Sequence, residues 1–148
     1  MTLLENKKAR MRFSILETFQ AGIELTGPEV KSLRSKHGSL DGSRVVVRGG
    51  EAFIVGMTIP PYQPSNTPAG YNPEKTRRLL LQKKEIAQLA DAESKKGLTV
   101  VPLEVYNNGR LIKMRVAIVR GKTNVDKRED LKRQDAKREM DRALRSKK

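Results

Sequence analysis

The chain has 148 residues, of which 36% are hydrophobic, and a formal net charge of +14 with a pI near 10.3. That length predicts one domain with an appendage, and so large a cationic excess points to nucleic acid, or less often an anionic membrane surface, as partner. With no cysteine, disulfides, thiolate zinc sites and cysteine nucleophiles are excluded. The N-terminus has no apolar h-region, and no window approaches the ~18 apolar residues of a membrane span, so a soluble cytoplasmic protein is expected.

In chain order, residues 1–10 read as a mobile basic lead-in. "RFSILETFQAGIEL" (residues 12–25) predicts two β-rich pieces, with Ala21-Gly22 as a bend or bulge. "LTGPEVKSLRSKHGSL" predicts a short helix over 28–36: Thr26 caps it, Pro28 and Glu29 suit its first turn, Val30 and Leu33 face the core, and Gly38 stops it. Two β-rich runs around Gly49-Gly50 predict a hairpin. Residues 58–73 hold five of the seven prolines and read as a long loop. "TRRLLL" reads as a buried strand. "KKEIAQLADAESKKG" reads as an amphipathic helix with Ile86, Leu89 and Ala90 inward, ended by Gly97. "LTVVPLEVYNNGRLIKMRVAIV" is a hairpin turning at Asn108-Gly109, with Pro102 marking an edge or bulge. About six short antiparallel strands and two short helices predict a mainly β fold, a small closed or nearly closed barrel over residues 1–119. A basic tail follows over 120–148.

Catalytic signatures are lacking. His37, the single histidine, sits at a helix end without metal-ligand company. No nucleophile elbow or Walker-type loop occurs, and Gly49-Gly50 reads as a turn. No catalytic residue, cofactor or metal is therefore assigned. The charge is distributed: residues 120–148 carry 12 Lys+Arg against 6 acids, and residues 1–119 carry 19 against 11. Clusters at "NKKAR" (Asn6, Lys7, Lys8, Arg10), "KSLRSK" (Lys31, Arg34, Lys36), "KTRR" (Lys75, Arg77, Arg78) and "RGK" (Arg120, Lys122) punctuate element ends. Lys31 and Arg34, three apart on a helix, share a face able to follow a phosphate backbone. The six aromatics are too few and too strand-embedded for a stacking platform; Phe13, Phe19 and Phe53 are expected in the core, and Tyr62 and Tyr71 in the loop. The body suits folded RNA read through shape and backbone.

Five segments, "NKKAR", "AGIELTGPEVKSLRSKHGSLDGSRV", "GEAFIVGMTIPPY", "TRRLLLQKKEI" and "RGKTNVDKRED", resemble in order and spacing the small protein B family of transfer-messenger RNA (tmRNA)-binding proteins, from about Glu5 to the C-terminus. The resemblance implies a six-stranded oligonucleotide-binding-type barrel with flanking helices, monomeric and non-enzymatic. It implies binding to the tRNA-like domain of tmRNA and delivery to stalled ribosomes for trans-translation. Carried over by position, Asn6, Gln20 and Leu80 fall at tmRNA contacts; with the basic clusters they give an expected RNA surface of Asn6, Lys7, Lys8, Arg10, Gln20, Gly22, Lys31, Arg34, Lys75, Arg77, Leu80 and Lys122. Gly121 and Lys122 begin a tail that the resemblance makes disordered when free and helical in the vacant mRNA channel, beyond the small-subunit decoding centre. Asp126, Lys127 and Arg128 match its decoding-centre motif, and Lys132, Arg133, Lys137 and Arg138 are placed against rRNA phosphates.

The pattern is broken at Gln20, where a glutamate is usual, and at Val125, where a ring is common. Asn72-Pro73 and Lys75 replace an Asp-Pro pair and an arginine. In the tail, Ala136, Met140, Ala143 and Leu144 make a stripe too narrow for docking on the barrel, while the paired cations surround the helix. A structural ribosomal or assembly protein with the same barrel is the alternative reading, and an RNA-modifying enzyme the less favoured third.

Overall fold

The computed structural model describes residues 1–63 and 70–121, and within them seven strands and three helices. They are β1 (Thr2–Glu5), α1 (Lys7–Arg12), β2 (Phe13–Ile23), α2 (Gly27–Arg34), β3 (Arg44–Arg48), β4 (Glu51–Val55), β5 (Arg77–Leu80), α3 (Lys83–Ser94), β6 (Leu98–Asn108) and β7 (Leu111–Gly121). All strands join one antiparallel sheet in the order β1-β6-β7-β2-β5-β4-β3. The sheet curls until β3 packs near β6, and α3 lies against both, closing the seam that ladder hydrogen bonds leave open. The mainly β, nearly closed architecture is the expected one, with one more strand and one more helix than the sequence predicts.

The added pieces are β1 and α1, formed by the segment expected to be mobile. Leu3 and Leu4 enter the main core, which explains why β1 orders. Ala9 docks α1 onto a second apolar cluster, Val101, Leu103, Ala117 and Val119, with Phe13 packed against it. Because α1 covers them, β6 and β7 are buried on both faces there, and their sequence runs "VVPL" and "VAIV" lose the alternation of a one-sided strand.

Other differences have local causes. β2 is one continuous strand whose register shift lies between Ile15 and Glu17, not at Ala21-Gly22. α2 ends at Arg34, before Gly38, because Lys36 takes a left-handed conformation (φ 61°); the Lys36 N–H then donates to Leu33 O and the His37 N–H to Ser32 O, a Schellman closure. The β3–β4 hairpin turns at Gly49-Gly50 as expected, with φ of 60° and 76°, the double positive φ of a two-residue turn. The β6–β7 turn is Gly109-Arg110, one residue later than expected, and a bulge does sit beside Pro102, between Pro102 and Glu104. β5 alternates, Arg77 and Leu79 inward and Arg78 and Leu80 outward. Phe53 is half-buried on the face opposite Ala52 and Ile54 rather than in the core, and α3 buries Leu89 and Ala92, with Ile86 and Ala90 half-buried.

Candidate nucleic-acid interface

The outer face of the sheet gathers residues far apart in sequence. Gly22 pairs with Leu80 on one side and with Lys113 on the other, and Gln20 pairs with Arg115. A Cβ on Gly22 would lie 3.2 Å from Leu80 Cβ. The glycine thus leaves a notch in β2 that lets Leu80 lean across it while remaining 48% exposed. Gln20 donates its side-chain amide N–H to the Tyr106 hydroxyl, which orients the amide. The Arg115 guanidinium lies 5.3 Å from the Tyr106 ring centroid, a cation–π distance, and pairs with Glu104 at 2.5 Å. Lys113, next to them, forms no ion pair among the described residues.

The same row of β7 side chains continues through Ala117 and Val119 to the floor of α1, so α1 and the Gln20–Leu80 patch share one face of the sheet. α1 presents Lys7, Lys8 and Arg10, all exposed. Asn6 is the pin that holds it. The residue is buried; its Oδ1 accepts from the Ala9 N–H, its Nδ2 donates to Pro102 O at 2.8 Å, and its backbone N–H donates to Leu103 O. Asn6 therefore positions cations rather than presenting its own amide to solvent.

On α2, Lys31 and Arg34 are both exposed, and Arg34 donates to Arg110 O at 2.8 Å, tying the helix to the β6–β7 turn. Thr26 and Glu29 cap this helix reciprocally: Glu29 Oε1 accepts from the Thr26 N–H, and Thr26 Oγ1 from the Glu29 N–H. Glu29 is fully buried and paired with Arg77. Arg77, 2% exposed, also donates to Met57 O, Pro73 O and Lys75 O at 3.0–3.1 Å. Its guanidinium is spent inside the fold, which corrects the expectation that it meets RNA. Lys75 Nζ stands 3.4 Å from Glu29 Oε1 and is half-exposed. Burial pushes the Glu29 carboxyl up, but the Thr26 N–H, Arg77 and Lys75 together outweigh it and hold the group below the usual carboxylate range.

Of the loop tyrosines, Tyr71 donates its hydroxyl to Ile59 O at 2.7 Å, whereas Tyr62 is exposed. Gly121 ends β7 opposite Phe13. Lys122, Val125, Asp126, Lys127, Arg128, Lys132, Arg133, Lys137 and Arg138 lie outside the described residues. Among the described residues no cluster of potential ligands could hold a metal ion, and no helix is long and apolar enough to cross a membrane.

Sequence reasoning missed Lys113, Arg115 and Tyr106. The signal available was the alternation of "LIKMRV" after an Asn-Gly pair, which puts Lys113 and Arg115 on one side of a strand; which strand lies alongside is a matter of register, and no local pattern carries it.

A curled antiparallel sheet with a notched leucine, an oriented amide and unneutralised cations on one outer face has the features of a small nucleic-acid-binding module. Comparison with known proteins makes this particular. A family model described as SmpB protein matches residues 3–146. A protein of Microcystis aeruginosa named SsrA-binding protein is 44% identical over 142 residues, 96% of this chain and 92% of its own. One of the same name from Pelotomaculum thermopropionicum is 45% identical over 140 residues, 95% and 91% of the two chains. A chain in the solved structure described as "tmRNA-SmpB: a journey to the center of the bacterial ribosome" superposes with a TM-score of 0.69 at 39% identity, covering 88% of this chain and 95% of that one. The chain belongs to the SmpB family.

Proposed function

We propose that this protein is an RNA-binding, non-enzymatic ribosome-rescue factor of the cytoplasm. It binds the tRNA-like domain of tmRNA and delivers it to stalled ribosomes for trans-translation. The supporting observation is the grouping of Gln20, Gly22, Leu80 and Lys113 on one outer face, in a family with members named for binding SsrA and with a solved relative from a structure described as tmRNA-SmpB. Leu80 supplies apolar contact to an exposed sugar edge. Gln20 offers a hydrogen bond to a 2′-hydroxyl or base edge, and Lys113 neutralises a phosphate beside them. Lys7, Lys8, Arg10, Lys31 and Arg34 extend the footprint. In this reading residues 1–119 capture the RNA, and residues 120–148 enter the vacant mRNA channel of the small subunit, with Asp126, Lys127 and Arg128 at the decoding centre.

The test is titration of a transcript of the tRNA-like domain with the wild type and with Leu80→Asp. The substitution places an anion at the centre of the patch on an exposed side chain, so the fold is kept while affinity falls at least tenfold. Unchanged affinity in a folded variant would place the RNA elsewhere.

A further inference from the structure

Between α1 and the start of β3 lies a cavity of about 210 Å³ whose Arg12, Phe13 and Arg44 take no part in the Gln20–Leu80 patch. Its floor is apolar, with Phe13 half-buried against the second core cluster. Its walls carry Lys8, Arg12 and Arg44, and the hydroxyl-bearing Ser43 and Thr99; no acidic residue lines it. Arg12 and Arg44 form no ion pair among the described residues. Arg44 senses the charge of Glu93, but that carboxylate already accepts from Arg48 and from the Val47 N–H. Lys8 is 3.7 Å from Asp41, and both side chains are more than half exposed, a pairing weak enough for a phosphate to displace.

We propose that this cavity holds one unpaired nucleotide of a bound RNA, its base against Phe13 and its phosphate among Lys8, Arg12 and Arg44. The inference rests on the RNA-binding reading above and adds a second site to it. Two lining arginines without an ion pair, and a lysine held only by a weak exposed one, call for an anion, and the aromatic ring of Phe13 beside them calls for a planar ring; a nucleotide satisfies both. The volume lies below the ~300 Å³ at which drug-sized pockets begin, which leaves no space for a second base. A paired base cannot enter, so the occupant comes from a loop, bulge or end, where RNA bases splay out onto aromatic side chains. The cavity borders the far end of the β7 row, about 20 Å along the strand from Lys113 at ~3.3 Å per residue. It is thus a contact separate from the Gln20–Leu80 patch.

The sequence contains no tryptophan. Phe13→Trp in the full chain therefore gives a single indole reporter. Its emission is followed on saturation with a transcript of the tRNA-like domain and, separately, with vacant ribosomes. Stacking quenches the emission. Quenching by the transcript assigns the nucleotide to tmRNA, and quenching by ribosomes alone assigns it to rRNA. The Arg12→Ala/Arg44→Ala double variant then lowers the salt-dependence slope of binding to that RNA by about 0.7–0.9, one phosphate. Crosslinking of the unsubstituted protein to 4-thiouridine-containing RNA supplies a readout that no misfolded variant can confuse, with adducts expected in the Arg12–Ser14 segment or at Arg44. Transcript binding with no quench from either RNA and no adduct at these residues overturns the second site alone. Failure of any RNA to bind overturns the parent reading as well.

Discussion

Glu29 and Arg77 show how one residue pair sets what the surface can do. Two charges with no solvent contact are held only because partners fill both groups: a hydrogen bond from the Thr26 N–H and an ion pair with Lys75 on the carboxylate, three backbone carbonyls on the guanidinium. Removing one partner strands the other in low dielectric. Arg77→Met is expected to cost about 3–5 kcal/mol, while the double variant Glu29→Gln/Arg77→Met costs less than the two single changes added together. Denaturant titration of the four proteins checks the cycle. The folded carboxyl is depressed, so its contribution is fully present above the unfolded value of about 4.3 and is lost as pH falls through the lower folded value. Wild type should therefore shed more stability than Glu29→Gln as pH is lowered through and below that range; parallel curves would show the carboxylate is not stabilised by folding. From the sequence, Glu29 was legible as a first-turn acid, because capping is local. Its pairing with Arg77 joins residues 48 apart and was not, so Arg77 was assigned to RNA on charge alone.

The helices and hairpins repeat that division between local and distant information. Thr26, Pro28 and the Gly49-Gly50 turn were readable because their chemistry spans a few residues. β1 and α1 were not, since what orders them is the cover they give to β6 and β7: Ala9 on Val101 and Ala117, and Asn6 on the bulge carbonyls at Pro102 and Leu103. At the end of α2, Lys36 occupies the left-handed position that glycine takes without steric cost. Lys36→Gly is expected to raise stability by about 0.5–1 kcal/mol, the relief of the left-handed penalty less the entropy glycine adds to the unfolded chain. Lys36 lies outside the proposed RNA contacts, so the variant should bind the tRNA-like domain with wild-type affinity while its Tm rises. A lowered Tm would mean that the lysine side chain is doing something the Schellman closure does not require.

For the whole molecule, the net charge of +14 divides between body and tail, and the proposal gives the two parts different tasks. Truncation after Arg120 should leave affinity for the tRNA-like domain within a few-fold of wild type and abolish tagging on stalled ribosomes in a reconstituted translation reaction. Equal loss of both would refute the division. The partner class was legible from charge and the absence of catalytic signatures. The surface itself was only partly legible: Gln20, Gly22 and Leu80 were singled out along the chain, but Lys113 joins them only through the pairing of β2 with β7. The central claim is that this surface selects one RNA, and the direct measurement is to recover the tagged protein from growing cells and sequence the RNA that comes with it. A single dominant tmRNA, reduced to background by Leu80→Asp, is the predicted result; rRNA alone, with tmRNA no higher than in an untagged control, would contradict it.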